Sequence, residues 1–356
     1  MKNYGSDEKS AVQAKFDAQK IAFAPIMFQA AKSMRNLGIL DTLDKNRKIG
    51  LTIEEVAQNC KISVYGAKVL LEAGISLEIV YVKDDKFFLT KTGWFVQNDS
   101  LTTVNLDFTH DVNYLGFYEL EESIKNGKPE GLKVFGKWDT VYEALAHLPA
   151  QVRKSWFAFD HYYSDNAFPE ALPIIFERKP KKILDVGGNT GKFSIKCCEF
   201  DADVNVTILD LPGQLNDAYK NIENHGFSDR INGHAMNLLD SSKPFPTGYD
   251  AVWMSQFLDC FSQEDILHLI TRGKNALSPD GALYILETYW DKQKYDAAMY
   301  SLHATSLYFT CIANGCSQMY HSDDMYKLVD KAGMYVEKAV DNIGVSHTMF
   351  ICKPKK

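Results

Sequence analysis

No apolar run in the 356 residues approaches the roughly 20 needed to cross a bilayer, so no helical membrane span is expected. The opening MKNYGSDEKSAVQAKFDAQK is polar and lacks the apolar centre of a secretory leader. No long Lys/Arg run occurs and the net charge is −7, which argues against nucleic acid as the main partner. The seven cysteines are an odd number, show no CxxC spacing and touch in sequence only at Cys197–Cys198. That usage fits reduced thiols in the cytoplasm; neither a disulfide framework nor a metal site is expected. There is no internal repeat and no low-complexity segment.

What remains is 46% hydrophobic and 24% charged, the profile of a soluble globular protein. The length exceeds one ordinary core, so two domains are expected. Residues 12–44 carry apolar positions at helical spacing, and Thr52 with Glu55 forms a capping-box signature ahead of a further helix. VYGAKVLLEAGISLEIV predicts another helix, and YVKDDKFFLTKTGWFV reads as a hairpin around a Lys-Asp-Asp turn. Three helices and a hairpin make a winged-helix pattern. Its reading helix would offer only Lys68 as a base and carries Glu72 and Glu78, too acidic for phosphate contact.

Residues 105–180 read as helical and aromatic, with GKPEG at 127–131 as a loop. From Lys181 the texture becomes apolar strands alternating with amphipathic helices. KKILDVG, VNVTILD, RINGHAM, YDAVWMSQ and GALYILET predict a parallel sheet. MYVEKAV and HTMFICK, separated by IGV, predict a hairpin at one edge. The expected division is a winged-helix-like domain over 1–104 and a sheet-bearing domain over 105–356, the latter with a helical region to 180 and an α/β core from 181.

ILDVGGNTGKFSI is the strongest signal: a strand runs into Gly187, Gly188 and Gly191, and a helix follows. Glycines there let the backbone turn sharply and a ligand approach the main chain. No GK[ST] follows, and G-x-G-x-x-G would need glycine at Val186, so neither a Walker loop nor a dinucleotide fingerprint is present. Asp185 at the strand end would repel phosphate and suits a ligand bearing a cationic amino group. Asp210 ends the next strand about 20 residues on, where a carboxylate can accept both hydroxyls of a ribose. S-adenosylmethionine meets that description.

LDVGGNTG (184–191), ILDLPGQ (208–214), YDAVWMSQFL (249–258) with FSQED, LSPDGALYILE (277–287) and KLVDKAGM (327–334) resemble the two-domain S-adenosylmethionine-dependent O-methyltransferases of the hydroxyindole, plant phenolic and bacterial polyketide type. NLGILDTL, LTIEEVA and FFLTKTG resemble that family's winged-helix dimerisation domain. The resemblance implies an α/β fold: a Rossmann-like class I methyltransferase domain with a mostly parallel seven-stranded sheet, preceded by an α-helical winged-helix dimerisation domain. It also implies a homodimer and O-methylation of an aromatic or polyketide-like small molecule. By resemblance Gly187, Gly188 and Gly191 would wrap the methionine part, Asp210 would hold the ribose, and Leu211 and Met236 would touch adenine. Ser255 and Gln256 at the end of their strand join these contacts. Relatives carry an acid near the adenine amine; here His234 or Asn237 stands in that region.

The family's segment after YDAVWMSQFL usually reads histidine, acid, tryptophan, and the histidine takes the proton from the substrate hydroxyl. Asp259, Cys260 and Phe261 occupy those three slots here. A phenol has a pKa of about 10, a histidine about 6.5 and an aspartate about 3.9, so the uphill transfer grows by about 3.5 kcal/mol. Burial among Leu258 and Phe261 would raise Asp259, and Glu287 would raise it further if the two lie close, giving a pair that shares a proton. His303 is the first substitute base and His161 the second; each also reads as an ordinary helix histidine. Asp259 itself also reads as a helix-start acid, although Ser262 with Asp265 is the better cap. Phe157, Tyr162, Tyr163, Tyr308 and Phe309 are candidates for a pocket around a flat substrate. The alternative activities are N-, C- or S-methylation, or cofactor binding without methyl transfer.

Overall fold

The computed structural model describes residues 6–356. Its first helix, α1 (Ala11–Asn36), begins where the Ser10 hydroxyl accepts from the Gln13 N–H. Gly38 in the left-handed region (φ 79) interrupts the helical stretch and starts α2 (Ile39–Lys45). The capping box at Thr52 and Glu55 forms in full and opens α3 (Ile53–Cys60); Ser63 caps α4 (Val64–Ser76). Strands β1 (Val80–Lys83) and β2 (Lys86–Leu89) pair antiparallel through Asp84 and Asp85, which both hold positive φ (49 and 57), as a tight hairpin turn requires.

The hairpin is shorter than its apolar pattern predicts. Thr90 accepts from the Gly93 N–H, so KTGWFV becomes α5 (Lys91–Asn98) instead of a continuing strand. A further helix, α6 (Ser100–Phe108), is capped by Asp99. Buried Lys32 of α1 pairs with Asp107 of α6, which ties this helix to the first bundle. The chain divides into two compact units between His110 and Asp111, later than the boundary expected at 104, because α6 runs through that point. Met34, Leu40, Leu43, Val56, Leu71, Val80 and Phe87 form the first unit's core.

In the second unit, α7 (Leu120–Asn126), α8 (Val141–Ala144), α9 (Ala150–Asp165) and α10 (Phe168–Phe176) precede the sheet. GKPEG is not wholly a loop, since a 3-10 turn starts at Glu130. Then come β3 (Lys182–Val186), α11 (Lys192–Phe200), β4 (Asn205–Asp210), α12 (Pro212–Asn224), β5 (Ile231–Ala235) and β6 (Tyr249–Ser255). The chain continues through α13 (Gln263–Ala276), β7 (Leu277–Glu287), α14 (Asp296–Tyr308), α15 (Ser322–Lys331), β8 (Met334–Ile343) and β9 (His347–Pro354). The seven-stranded order is β5-β4-β3-β6-β7-β9-β8. The first five strands are parallel; β9 runs antiparallel to both β7 and β8, the expected edge hairpin.

Strand alternation divides the core into two layers. Ile183, Ile208, Trp253 and Tyr284 face α10, α11 and α12. Leu184, Leu209, Met254 and Ile285 face α13 and α15. Order reverses between β4-β3 and β6-β7, which opens a crevice at the carboxyl ends of these strands. No helix among the described residues is long and apolar enough to cross a membrane.

Candidate active site

The crevice has two halves. One is the β3–α11 loop with the end of β4. Gly187 and Gly191 hold φ of 74 and 75, and a Cβ on Gly187 would lie 2.4 Å from the Phe257 ring. A Cβ on Gly188 would meet Ile208 and Asp185 at 2.8 Å. Gly187 and Gly188 therefore have no room for a side chain, which leaves their main chain open to an incoming ligand. Asp210 is buried and pinned: its carboxylate accepts from Asn189 N–H (2.8 Å) and Leu211 N–H (2.7 Å). Burial raises its pKa against those two bonds. Leu211 presents an exposed apolar face at the start of α12, and Met236 lies buried behind the end of β5. Arg272 holds that segment, donating to the Leu238 carbonyl at 2.6 Å and to Met236 Sδ at 3.2 Å. Asn237 spends its side-chain oxygen on the Leu239 N–H, while His234 is exposed on edge strand β5.

Asp185 departs from its expected role. It is 2% exposed and accepts from the Ser194 hydroxyl at 2.7 Å, so it braces α11 beneath the glycine turn and does not face a ligand's amino group. Burial lifts it to about 7.

The second half lies at the ends of β6 and β7 and on α9. Gln256 follows β6 with a positive φ of 44, a strained conformation of the kind that gathers at functional sites. Ser255 Oγ and Gln256 Oε1 are buried without hydrogen-bond partners. Asp259 sits in a short 3-10 turn, 7% exposed, and receives a long 3.4 Å contact from the Cys260 thiol. Burial raises its pKa to about 6. Glu287, at the end of β7 and 2% exposed, accepts from Phe257 N–H (3.0 Å) and Leu258 N–H (2.8 Å) through Oε1, leaving Oε2 without a partner. Burial and then the charge of Asp259 push Glu287 well above the ordinary carboxylate range. The two acids anticipated as a pair are thus electrostatically joined. Ser262 caps α13 through Asp265 N–H, so Asp259 is not needed as that cap.

His303 is not brought to this pair. Met299, Leu302 and Tyr308 define the buried face of α14, and His303 lies exposed on another face, against Trp290 at a ring distance of 5.0 Å. His161 is part-buried on α9 with Nε2 unpaired, and burial lowers its pKa. It packs on Phe157 at 5.6 Å; Tyr163 is buried against Tyr162 and Phe159.

Sequence reasoning missed Asp160, one residue from His161. Burial, then Asp259, raises it to about 7. Its helical spacing from Trp156 was the available signal: Trp156 Nε1 donates to Tyr308 Oη at 2.7 Å, which turns that face of α9 toward α14. Asn189, also not singled out, keeps a buried Oδ1 unpaired beside the glycine turn.

The crevice fits S-adenosylmethionine: a turn whose glycines have no room for a side chain, a fixed acid at Asp210, an apolar Leu211 and Met236, and unpaired polar atoms on Asn189, Ser255 and Gln256. Among the described residues no three His, Cys, Asp or Glu side chains could hold a metal ion.

A Dimerisation2-like domain model matches residues 15–87, and an O-methyltransferase domain model matches residues 117–335. Among curated proteins, the L-tyrosine C(3)-methyltransferase of Streptomyces lavendulae is 23% identical over 321 residues, covering 89% of this chain and 86% of its own length. The bacteriochlorophyllide d C-20 methyltransferase of Chlorobaculum tepidum is 23% identical over 224 residues, covering 62% and 63%. Among solved structures, the S-adenosylmethionine-dependent methyltransferase SibL in its apo form superposes with a TM-score of 0.73 at 23% identity, covering 95% of this chain and 98% of that one; the likeness is one of fold.

Proposed function

The chain belongs to the O-methyltransferase domain family and is an S-adenosylmethionine-dependent methyltransferase, and from that premise we propose that it methylates a hydroxyl on an aromatic or polyketide-like small molecule. The bound cofactor supplies an electrophilic methyl group on a sulfonium. This chain's residues must hold the two reactants in line and accept the hydroxyl proton.

The observation that carries the reading is the Asp259–Glu287 pair. An ordinary aspartate would face a phenol across a gap of about 6 pH units. Held at about 6, Asp259 has nearly the basicity of the histidine it replaces. It stays ionised at neutral pH and can take the proton, while Glu287, raised further, holds a proton that the pair can share. Phe257 and Leu258 N–H groups fix Glu287, so the pair is preorganised. Gly187, Gly188, Gly191, Asp210, Leu211, Met236, Ser255 and Gln256 would hold the cofactor. Phe157, His161, Tyr162 and Tyr163 would line the acceptor side.

A second reading is methylation at a ring carbon. It is favoured by the named acceptor atom of the Streptomyces relative. The same proton transfer serves it, because a phenolate also activates the carbon beside its oxygen. The dimerisation-domain match and the exposed apolar residues of α1, including Phe16, Ile21 and Ile26, support a homodimer formed through the first unit, and the seven free cysteines suit action in the reducing cytoplasm.

Purified protein incubated with S-adenosylmethionine and a panel of phenols tests the reading. S-adenosylhomocysteine should accumulate with a methoxy product; a C-methyl signal by NMR selects the second reading. Tight cofactor binding without turnover of any acceptor would overturn both.

A further inference from the structure

The acceptor side of the crevice carries acids without a close cation of their own. Asp160 has only distant donors: Asn189 Nδ2 at 3.5 Å and His161 Nε2 at 4.0 Å, the outer limits of useful contact. Lys192, the cation whose charge reaches it, is committed to Asp165 at 2.6 Å. Among the described residues, buried oxygens near the strand ends without a partner include the amide oxygens Asn189 Oδ1 and Gln256 Oε1, which only accept, the hydroxyls of Ser255, Tyr142 and Tyr289, which are neutral, and Oε2 of the proton-holding Glu287. Asp160 and Asp259 also lie close enough to feel each other's charge, and Asp259 in turn acts on Glu287. Two carboxylates, Asp160 and Asp259, with unmatched amide oxygens beside them and the nearby Lys192 already paired, call for a positively charged ligand group that carries several N–H donors. An ammonium has three donors and no acceptor. A metal ion is a poor occupant, since no three ligating side chains converge among the described residues.

We infer that Asp160 is a specificity-determining residue that pairs with a protonated amine on the acceptor, making the substrate an amine-bearing aromatic compound. The inference rests on the methyl-transfer reading above and narrows its substrate class. Asp160 is placed for this by α9: Trp156, one turn earlier, anchors to Tyr308, and Asn189 connects Asp160 to the glycine turn at the edge of the transfer site. Pairing with an ammonium restores the ionised form of a carboxylate that burial otherwise holds at about 7. A neutral phenol would leave the charge of that carboxylate, whose side chain is 29% exposed, without an opposite charge, and the buried Asn189 Oδ1 without a donor.

The cofactor carries an ammonium of its own, so the test separates the two sources. Tyramine and 4-ethylphenol share ring and hydroxyl and differ in the amine. Binding of each to protein saturated with S-adenosylhomocysteine is measured by calorimetry, in the wild type and in Asp160→Asn. Tyramine should bind at least tenfold tighter than 4-ethylphenol, and the preference should fall below twofold in Asp160→Asn. Asp160→Glu should retain part of it, and S-adenosylhomocysteine affinity should stay within twofold throughout. Equal binding of the two probes, no tyramine binding, or a preference that survives Asp160→Asn overturns the inference. A loss of S-adenosylhomocysteine affinity in Asp160→Asn also overturns it, by assigning the carboxylate to the cofactor. Methyl transfer to 4-ethylphenol alone would sink the amine while leaving the methyltransferase reading intact.

Discussion

Around the glycine turn, polar groups are held by main chain: Asp210 accepts two backbone N–H groups, and Gly187 N–H donates to the Leu209 carbonyl at 2.8 Å. Across the strand ends only Glu287 is held that way, by the Phe257 and Leu258 N–H groups, while Asp160 and Asp259 are raised carboxylates with only long side-chain contacts. The first half presents a fixed shape to a ligand. The second keeps acids whose basicity is raised by burial, and under the proposed function it is the half in which proton transfer and acceptor choice would take place. The two meet at Phe257, whose ring closes over Gly187 and whose N–H holds Glu287.

Asp259→Asn should show the difference most sharply. If Asp259 is the base, kcat for a phenol acceptor falls by about 10²–10⁴, the usual contribution of a positioned base. S-adenosylhomocysteine affinity, measured by calorimetry, should stay within twofold. Gly187→Val is the complementary break. Its side chain would have to displace the Phe257 ring from a backbone that β-branched residues avoid, and cofactor affinity should drop about a hundredfold. Because Phe257 N–H also binds Glu287, this variant should disturb the acid pair as well, whereas Asp259→Asn should not disturb the turn.

A smaller effect is expected from Asp210→Asn. The amide keeps one acceptor oxygen for two backbone donors and loses the charge, so cofactor affinity should fall about tenfold, in line with the ~1.5–3 kcal/mol of a charge-assisted hydrogen bond.

What could be read in advance follows the same division. Glycine is required where φ is positive and no Cβ fits, and an acid at a strand end needs only strand periodicity to be located, so the first half was legible. Asp259 and Glu287 could be paired because one follows and the other ends neighbouring strands, and β6 and β7 do pair side by side. Asp160 was not legible: it is one polar residue in FAFDHYYSD, and only the Trp156–Tyr308 bond fixes which face of α9 turns inward. His303 misled for the same reason, since its helix is apolar enough on several faces to hide its rotation. Asp185 misled because Ser194, which claims it, lies a loop and a helical turn away in sequence. The early end of the β1–β2 hairpin turned on one hydroxyl, that of Thr90, outweighing the β-propensity of Trp94, Phe95 and Val96.

The smallest expected effect is on stability. Asp259 is raised when folded, so its contribution is complete below the ordinary aspartate range, near pH 4, and is lost as pH rises through about 6. Asp259→Asn should therefore melt a few degrees higher than wild type at pH 8, for a gain of at most ~3 kcal/mol, and the difference should vanish at pH 4. A variant equally stable at both pH values would place Asp259 in a more solvated setting than its burial implies.

The pH dependence of kcat/KM for methyl transfer to a phenol tests the role of the acid pair most directly. The base must be ionised, so the rate should climb with pH to a plateau, with an apparent midpoint near 6 in the wild type, and Asp259→Asn should lose that limb. A midpoint near 6 that persists in Asp259→Asn, or a profile flat from pH 5 to 8 in the wild type, would contradict a catalytic role for Asp259.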